Sequence, residues 1–326
     1  MAHSATLTNT IHPSVSKEKF TDDVDYDAVF LQPARLASNL LRSPQAVHYF
    51  MAMIDSAPHL SELTEDLTDT VRCFYYELEN VHALRPMDYI RVERKLKHVA
   101  ETVTWGVSDM TACGVQTALP RGCCARSSLS LRSKIDINKR LYQALARMQE
   151  GRKKLSLQFL LAVTIVHELA HATMYALTET PHEHVFRQMG SGEAGWEIEA
   201  RLFGLCPHDK DKFSGDLWWY ELAKGQKQHL QPNPVEPVQI GFIQDLFADW
   251  FWLRFWDRQF QAPLAWTIIP SAAWPPMVYV PDSVLSLIQT ATAYIRRRLI
   301  ADVEIPSRKR KRHDDGDREE VITTDG

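Results

Sequence analysis

The sequence of 326 residues is long enough for one large domain or two small ones. Apolar residues make up 45% of it and charged residues 24%, which is typical of a globular protein with a well-formed core. The formal net charge of −4 provides no general attraction to nucleic acid or to anionic membranes, so neither is an expected partner. Residues 1–20 contain no continuous apolar segment of the secretory type, and charges interrupt the longest apolar runs. We therefore expect an intracellular, cytoplasmic protein.

The cysteines are scattered, and none of them forms a C-x-x-C pair. An odd number at these spacings favours free thiols over disulfides. The pattern also excludes a zinc finger or a zinc ribbon. The five residues are Cys73, Cys113, Cys123, Cys124 and Cys206.

The N-terminal third of the chain divides into a polar segment and a helical one. Residues 1–24 are polar, which predicts disorder. In residues 25–100, stretches such as FLQPARLASNLLRSPQAVHYFMAMI and LTDTVRCFYYELENV have apolar residues at helical spacing. We predict a helical N-terminal region there, packed against a core formed by residues 101–306.

Short β-prone pieces separated by glycine and proline follow between Val103 and Asn138. The last piece, SLSLRSKIDIN, alternates between apolar and polar residues, which predicts a half-buried strand. Its apolar side carries Leu129, Leu131, Ile135 and Ile137.

The next element is a predicted helix from Leu157 to about Thr178, with Ser156 as its N-cap. It contains TIVHELAHATMY, in which His167 and His171 are one turn apart and leave the same face. Two imidazoles at i and i+4 with Glu168 beside them form the HExxH pattern of zinc hydrolases.

The alternative is a chance match on an ordinary core helix. The residues around the motif are uncharged, and an unpartnered Glu168 in such surroundings would be costly. A metal ion with its polarised water removes that cost, so we predict one Zn²⁺ per chain.

A catalytic zinc needs a third protein ligand, and the segment GSGEAGWEIEARLFG supplies candidate carboxylates. Glu193 and Glu197 are at i and i+4 and would share one face of a helix. We predict Glu193 as the ligand, with Glu197 as an alternative ligand or as the carboxylate that accepts the N–H of a ligating histidine. A solvated acidic helix face is the alternative interpretation.

The C-terminal part of the chain predicts one more helix and a tail. An aromatic-rich amphipathic pattern runs from Ile240 to Phe255, which predicts a helix that adds to the core. Residues 307–326 are highly charged, which predicts a disordered tail.

The basic run Arg308–Arg312 within this tail is followed at once by acidic residues, which weaken its field towards DNA. Import receptors read short basic peptides, so a nuclear import receptor is a candidate partner and nuclear localisation a candidate location. A solvated terminus without a partner is the alternative.

HELAH followed by E-x-x-x-E resembles the gluzincin branch of the zincin metallopeptidases. Within that branch, HELAHA with the later E-x-G-W-E and F-G is most similar to uncharacterised fungal zincin-like proteins; the matching residues are Glu193, Gly195, Trp196, Glu197, Phe203 and Gly204. The resemblance covers roughly residues 128–205. It implies an α+β fold with a zincin-like core, namely a small sheet, an active-site helix and a return helix, to which helices are added at both ends. It also implies that the strand Leu129–Ile137 is the sheet edge that holds an extended substrate.

A second resemblance, to SprT-like proteases, depends on PHEHVFRQMG. Those proteins take a third histidine before an aromatic residue, and His184 lies at a comparable distance after His171. They usually have glycine where this chain has Val185, and many carry a zinc-binding cysteine module that this sequence lacks. His184 is therefore a further alternative ligand, and otherwise a loop residue near the cleft.

The motif set predicts a zinc metallopeptidase that hydrolyses a peptide or protein, with Glu168 as general base for a zinc-activated water. A tyrosine or histidine would stabilise the oxyanion, and the sequence does not choose among His182, His208, Tyr220 and Tyr279. One alternative is a zinc hydrolase acting on a small amide, an ester or a biosynthetic intermediate. The others are an SprT-like nuclear protease and a binding protein that has lost turnover.

Overall fold

A computed structural model describes residues 6–57, 71–74, 84–109, 122–126, 133–178, 183–186, 193–211, 213–221 and 233–257. The fold in these ranges is a mixture of helices with small sheets, which is compatible with the predicted α+β class. The helices are α1 (Leu31–Arg42), α2 (Pro44–Ser56), α3 (Pro86–Thr102), α4 (Lys139–Arg147), α5 (Arg152–Thr178), α6 (Ala194–Phe203), α7 (Ile240–Leu246) and α8 (Asp249–Asp257). The strands are β1 (Val71–Phe74), β2 (Val103–Ser108), β3 (Gly122–Arg126), β4 (Ser133–Asn138), β5 (Glu183–Phe186), β6 (Cys206–Asp209), β7 (Leu217–Glu221) and β8 (Asn233–Pro237).

Helix α5 is the centre of the core. Every residue from Leu155 to Met174 is buried, and α1, α3, α4, α6 and α7 all contact the helix. It begins at Arg152 rather than after the predicted cap Ser156, and in its first turn Lys154 Nζ is 2.6 Å from Glu150 Oε1. By length and composition α5 could cross a bilayer, but its apolar stretch is completely buried within the protein. Its apolarity is therefore accounted for by the core.

The described strands form three small sheets. In the first, β2 pairs in parallel with β4, and β3 pairs with β4 in antiparallel fashion, so that the order is β2-β4-β3. Ile135 and Ile137 of β4 are buried, as their alternation predicts. The prediction that this strand is a sheet edge is wrong, because β4 is paired on both sides. The other sheets are the parallel pair β1–β5 and the antiparallel sheet β6-β7-β8.

The prediction of a disordered N-terminus is wrong for residues 6–24. Leu7, Val15 and Phe20 are buried in the core. The Arg35 guanidinium donates to the Leu7 carbonyl, and Arg42 Nη1 donates to the Thr10 carbonyl at 2.8 Å. The polar composition is misleading because helix α1 supplies partners for the backbone of this segment.

Two further predictions differ from the structure in local detail. The segment Val71–Phe74, predicted as helix, is strand β1 and pairs with β5; valine and aromatic residues favour such strands. The predicted helix Ile240–Phe255 is divided into α7 and α8. The break is stabilised by the Trp252 indole N–H, which donates to the Leu246 carbonyl at the end of α7 (2.7 Å).

Residues 258–326 lie outside the described ranges. The predictions of a C-terminal helical part beyond α8 and of a charged tail fall there. So does the basic run Arg308–Arg312.

Candidate metal centre

His167 and His171 lie on consecutive turns of α5, and both are buried with 8% of their surface exposed. Their ring centroids are 5.1 Å apart. The helix spacing therefore presents two nitrogen donors to the same place, as the HExxH pattern predicts.

Glu193 reaches both histidines from the other side. Its Oε1 is 2.8 Å from Nε2 of His167 and 2.5 Å from Nε2 of His171. Glu193 is the residue before α6, its backbone is extended (φ −158°, ψ 129°), and its side chain makes no cap for the helix. The carboxylate is thus directed at the histidines rather than at its own helix.

These three residues form a donor set that fits a zinc ion. One ligand atom from each lies within 4.8 Å of the others, and the group is largely buried. Tetrahedral ligands at about 2.0–2.1 Å from a common ion lie about 3.3 Å apart, so an ion would lengthen the two contacts of Glu193 Oε1 with the histidine nitrogens. Two imidazoles and a carboxylate leave a fourth position for water or substrate.

His167 is held on its other side by Glu199, whose Oε1 is 2.7 Å from Nδ1. Glu199 is completely buried on α6. Carboxylates in this position fix the orientation of a ligating imidazole and leave Nε2 for the metal. The sequence offers Glu197 as an alternative ligand or as the carboxylate in this role; in the structure Glu199 contacts His167, and the Glu197 carboxylate accepts from Tyr49 of α2.

Gly195 allows the close approach of α6 to the histidine. A Cβ atom at this position would lie 2.3 Å from Cδ2 and Nε2 of the His167 ring. Gly195 and Glu199 are at i and i+4, so the same face of α6 both admits and holds the imidazole. At the other end, Gly204 closes the helix in the left-handed region (φ 78°).

The electrostatics of the cluster follow from these contacts. Burial alone would lower the pKa of His167, but the carboxylates of Glu193 and Glu199 outweigh it and raise the pKa to about 9. Burial alone would raise the pKa of Glu193, but the two histidines hold it well below its ordinary range. A metal ion bound at Nε2 of His167 would therefore compete with a proton.

Two other side chains belong to the surroundings of the cluster. Glu168 is buried with 3% exposed, and it is three residues before His171, which makes the two neighbours on the helix surface. The ring of Tyr175, one turn after His171, is nearly parallel to the imidazole at a centroid distance of 6.4 Å. Sequence reasoning did not single out Tyr175, although its i+4 spacing from His171 was visible.

The remaining candidates lie elsewhere or outside the description. His184 is on β5, paired with Arg72 of β1, and its side chain is not among those described. His208 and Tyr220 contact each other across β6 and β7, with ring centroids 5.5 Å apart. His182 and Tyr279 lie outside the described residues.

A family model described as metallopeptidase toxin 3 matches residues 87–204. The matched region begins in α3 and ends after α6, so it contains the complete donor set and Glu199. A search of curated proteins and a search of solved structures found no match. The match supports a metallopeptidase-type function, which implies a metal.

Proposed function

We propose that this protein is a zinc-dependent metallopeptidase in which His167, His171 and Glu193 hold the ion. The observation that carries the proposal is the convergence of one Glu193 oxygen on Nε2 of both HExxH histidines. The support of His167 by Glu199 and the match to a metallopeptidase family agree with it.

Each residue has a definite task in this proposal. Zinc, when bound, polarises the scissile carbonyl and makes water nucleophilic near neutral pH. The Glu168 carboxylate takes a proton from the attacking water and delivers it to the nitrogen of the leaving amine. Glu199 keeps Nδ1 of His167 protonated and so leaves Nε2 as the donor atom.

The strand order β2-β4-β3 leaves β4 unable to bind an extended substrate at a free edge. Because β4 is paired on both sides, its backbone groups are already used. In the described part of the chain, β3 is an outer strand of this sheet, and it contacts α5, the helix with the histidines. We propose that a peptide pairs with β3, which would place its backbone alongside the metal-bearing helix.

The test combines elemental analysis with digestion of a peptide library. The wild-type protein should contain about one zinc per chain and should cleave peptides. Glu168→Gln should retain the zinc and the fold but lose at least about a hundredfold in rate, because it removes the base without removing a ligand. A rate within a few-fold of wild type would transfer the base to another residue.

The same digest separates the competing functions. Zinc binding without peptide cleavage, together with hydrolysis of small amides or esters, would favour a small-molecule hydrolase. Zinc binding without any turnover would favour a binding protein. Release of zinc by His184→Ala, but not by Glu193→Ala, would favour the SprT-like ligand set.

We also propose that the run Arg308–Arg312 gives the protein access to the nucleus as well as the cytoplasm. Its compact positive charge is the support for this. Residues 300–326, fused to a reporter too large for passive entry, should accumulate in nuclei. Uniform exclusion of the reporter would show that the run is not an import signal.

A further inference from the structure

Helix α2 contacts α6 through a buried tyrosine, although α2 lies outside the region that the metallopeptidase family model matches. Tyr49 is completely buried. Its Oη is 3.0 Å from the carbonyl oxygen of Ala194 and 3.2 Å from Oε2 of Glu197. The hydroxyl therefore touches the first turn of α6, directly after the metal-ligand candidate Glu193.

Glu197 connects Tyr49 to Glu193 through its side chain and its backbone. Its backbone N–H donates to the Glu193 carbonyl at 3.1 Å, which is the first hydrogen bond of the helix. Its carboxylate is completely buried, and a buried carboxylate is tolerated only with polar partners. Removing the Tyr49 hydroxyl takes one of those partners away and so disturbs the residue to which the Glu193 backbone is bonded.

A second polar contact joins the same two helices one turn further along. Arg201 Nη2 donates to Nδ1 of His48 at 2.9 Å, since a guanidinium has no acceptor. Arg201 is four residues after Glu197 and His48 is next to Tyr49. The contacts of Tyr49 and of His48 thus join α6 to α2 at two successive turns.

The two buried glutamates of α6 lie on different faces of the helix. Glu199 and Gly195 face the His167 ring, whereas Glu197 faces Tyr49. A rotation of α6 about its axis would move both faces together. The contact on the α2 side therefore contributes to how well the other side fits the histidine.

We propose that Tyr49 is a positioning residue for the metal site, which it holds in register through the Ala194 carbonyl and the Glu197 carboxylate. The inference rests on the proposed zinc site. It adds that residues N-terminal to the matched region are part of the machinery that sets metal affinity.

Tyr49→Phe tests the proposal, because it keeps the ring and removes only the hydroxyl. Competition of the full-length protein with a chromophoric chelator for Zn²⁺ should show about tenfold weaker binding, the lower end of what loss of an outer-shell partner does. The visible absorption spectrum of the Co²⁺-substituted protein should also change, since the ligand geometry shifts.

Tyr26→Phe is the matched control. Tyr26 is also a buried tyrosine, and its hydroxyl donates to a backbone carbonyl, that of Val15, at 2.8 Å. Its loss should lower thermal stability to a comparable degree but leave Zn²⁺ affinity and the Co²⁺ spectrum unchanged. The control separates positioning from general destabilisation.

Glu197→Gln is the second variant, in case Tyr49→Phe does not fold; it should also weaken Zn²⁺ binding. The proposal is overturned if the variants that fold bind Zn²⁺ as tightly as Tyr26→Phe and give the wild-type Co²⁺ spectrum. If the wild-type protein itself takes up no zinc, it is the proposed function that fails rather than the role of Tyr49.

Discussion

The two helices that bring the metal ligands together are held in very different ways. Helix α5 has 27 residues, and its buried stretch from Leu155 to Met174 places both histidines deep in the core. Helix α6 has ten residues, and its ligand, Glu193, precedes the first of them. Burial of α5 thus fixes the backbone of both histidines, whereas the position of Glu193 depends on contacts that other elements make with α6. Changes on α5 should act on the ligands directly, and changes on α6 should act in proportion to how far they move the helix.

The largest expected effect comes from the helix that is held best. His167→Ala and His171→Ala each remove one of the three donors of the described cluster, so zinc should be absent from the purified variants. The control is His98→Ala, because His98 is an exposed histidine of α3. Elemental analysis of the three proteins checks this. Full zinc occupancy in either α5 variant would mean that the ion is held elsewhere.

The same contrast explains which features were predictable from the sequence. The HExxH spacing lies within one long helix, so periodicity alone places His167 and His171 together. Glu193 was also expected in the site, but as part of a helix with Glu197. In the structure Glu193 is extended and α6 begins after it. The face of α6 that lies against His167 is therefore formed by Gly195 and Glu199. The partner of Glu197, Tyr49, is far away in the sequence, and no local pattern reveals such a contact.

Closing the gap between α5 and α6 should be the next most damaging change. Gly195→Ala would place Cβ 2.3 Å from the His167 ring, so either the ring or the helix must move. We expect at least about a tenfold loss of Zn²⁺ affinity, as for loss of an outer-shell partner. Gly241→Ala is the control, since a Cβ there meets nothing within 4 Å. Unchanged Zn²⁺ binding by Gly195→Ala in chelator competition would contradict the described approach of α6.

A subtler change keeps the fit but weakens the support of His167. Glu199→Gln retains an acceptor for the Nδ1 proton and removes the negative charge, so Zn²⁺ affinity should fall by about tenfold. Glu93→Gln provides the comparison. Glu93 Oε2 is 3.5 Å from Nε2 of the buried His12, which is not part of the metal site. If chelator competition gives equal Zn²⁺ affinity for both variants, Glu199 does not support the metal site.

An effect that needs no substitution is a pH dependence with opposite signs for the stability of the apo-protein and for its zinc affinity. Because the pKa of His167 is raised to about 9, its protonated imidazole stabilises the folded, chelator-treated protein. This stabilisation is complete below the ordinary pKa of 6.5 and is lost as the pH rises through 9. The lowered pKa of Glu193 stabilises it above the ordinary 4.5, and that contribution is lost as pH falls. The Tm of the apo-protein should therefore fall between pH 6.5 and 9.

Zinc affinity should rise over the same interval, by about tenfold per pH unit for each proton displaced. Melting curves and chelator competition at matched pH values check the two slopes. An apo-protein Tm that rises towards pH 9 would show that His167 is not protonated between its two carboxylates.

X-ray absorption at the zinc edge of the wild-type protein tests the central claim most directly. If His167, His171 and Glu193 hold the ion, the first shell should consist of nitrogen and oxygen at about 2.0–2.1 Å, with the outer-shell signature of two imidazoles. The imidazole signal should halve in any residual zinc complex of His171→Ala. A sulfur shell at about 2.3 Å, or a first shell without imidazole, would contradict the account, because the ion would then be bound by other residues of the chain.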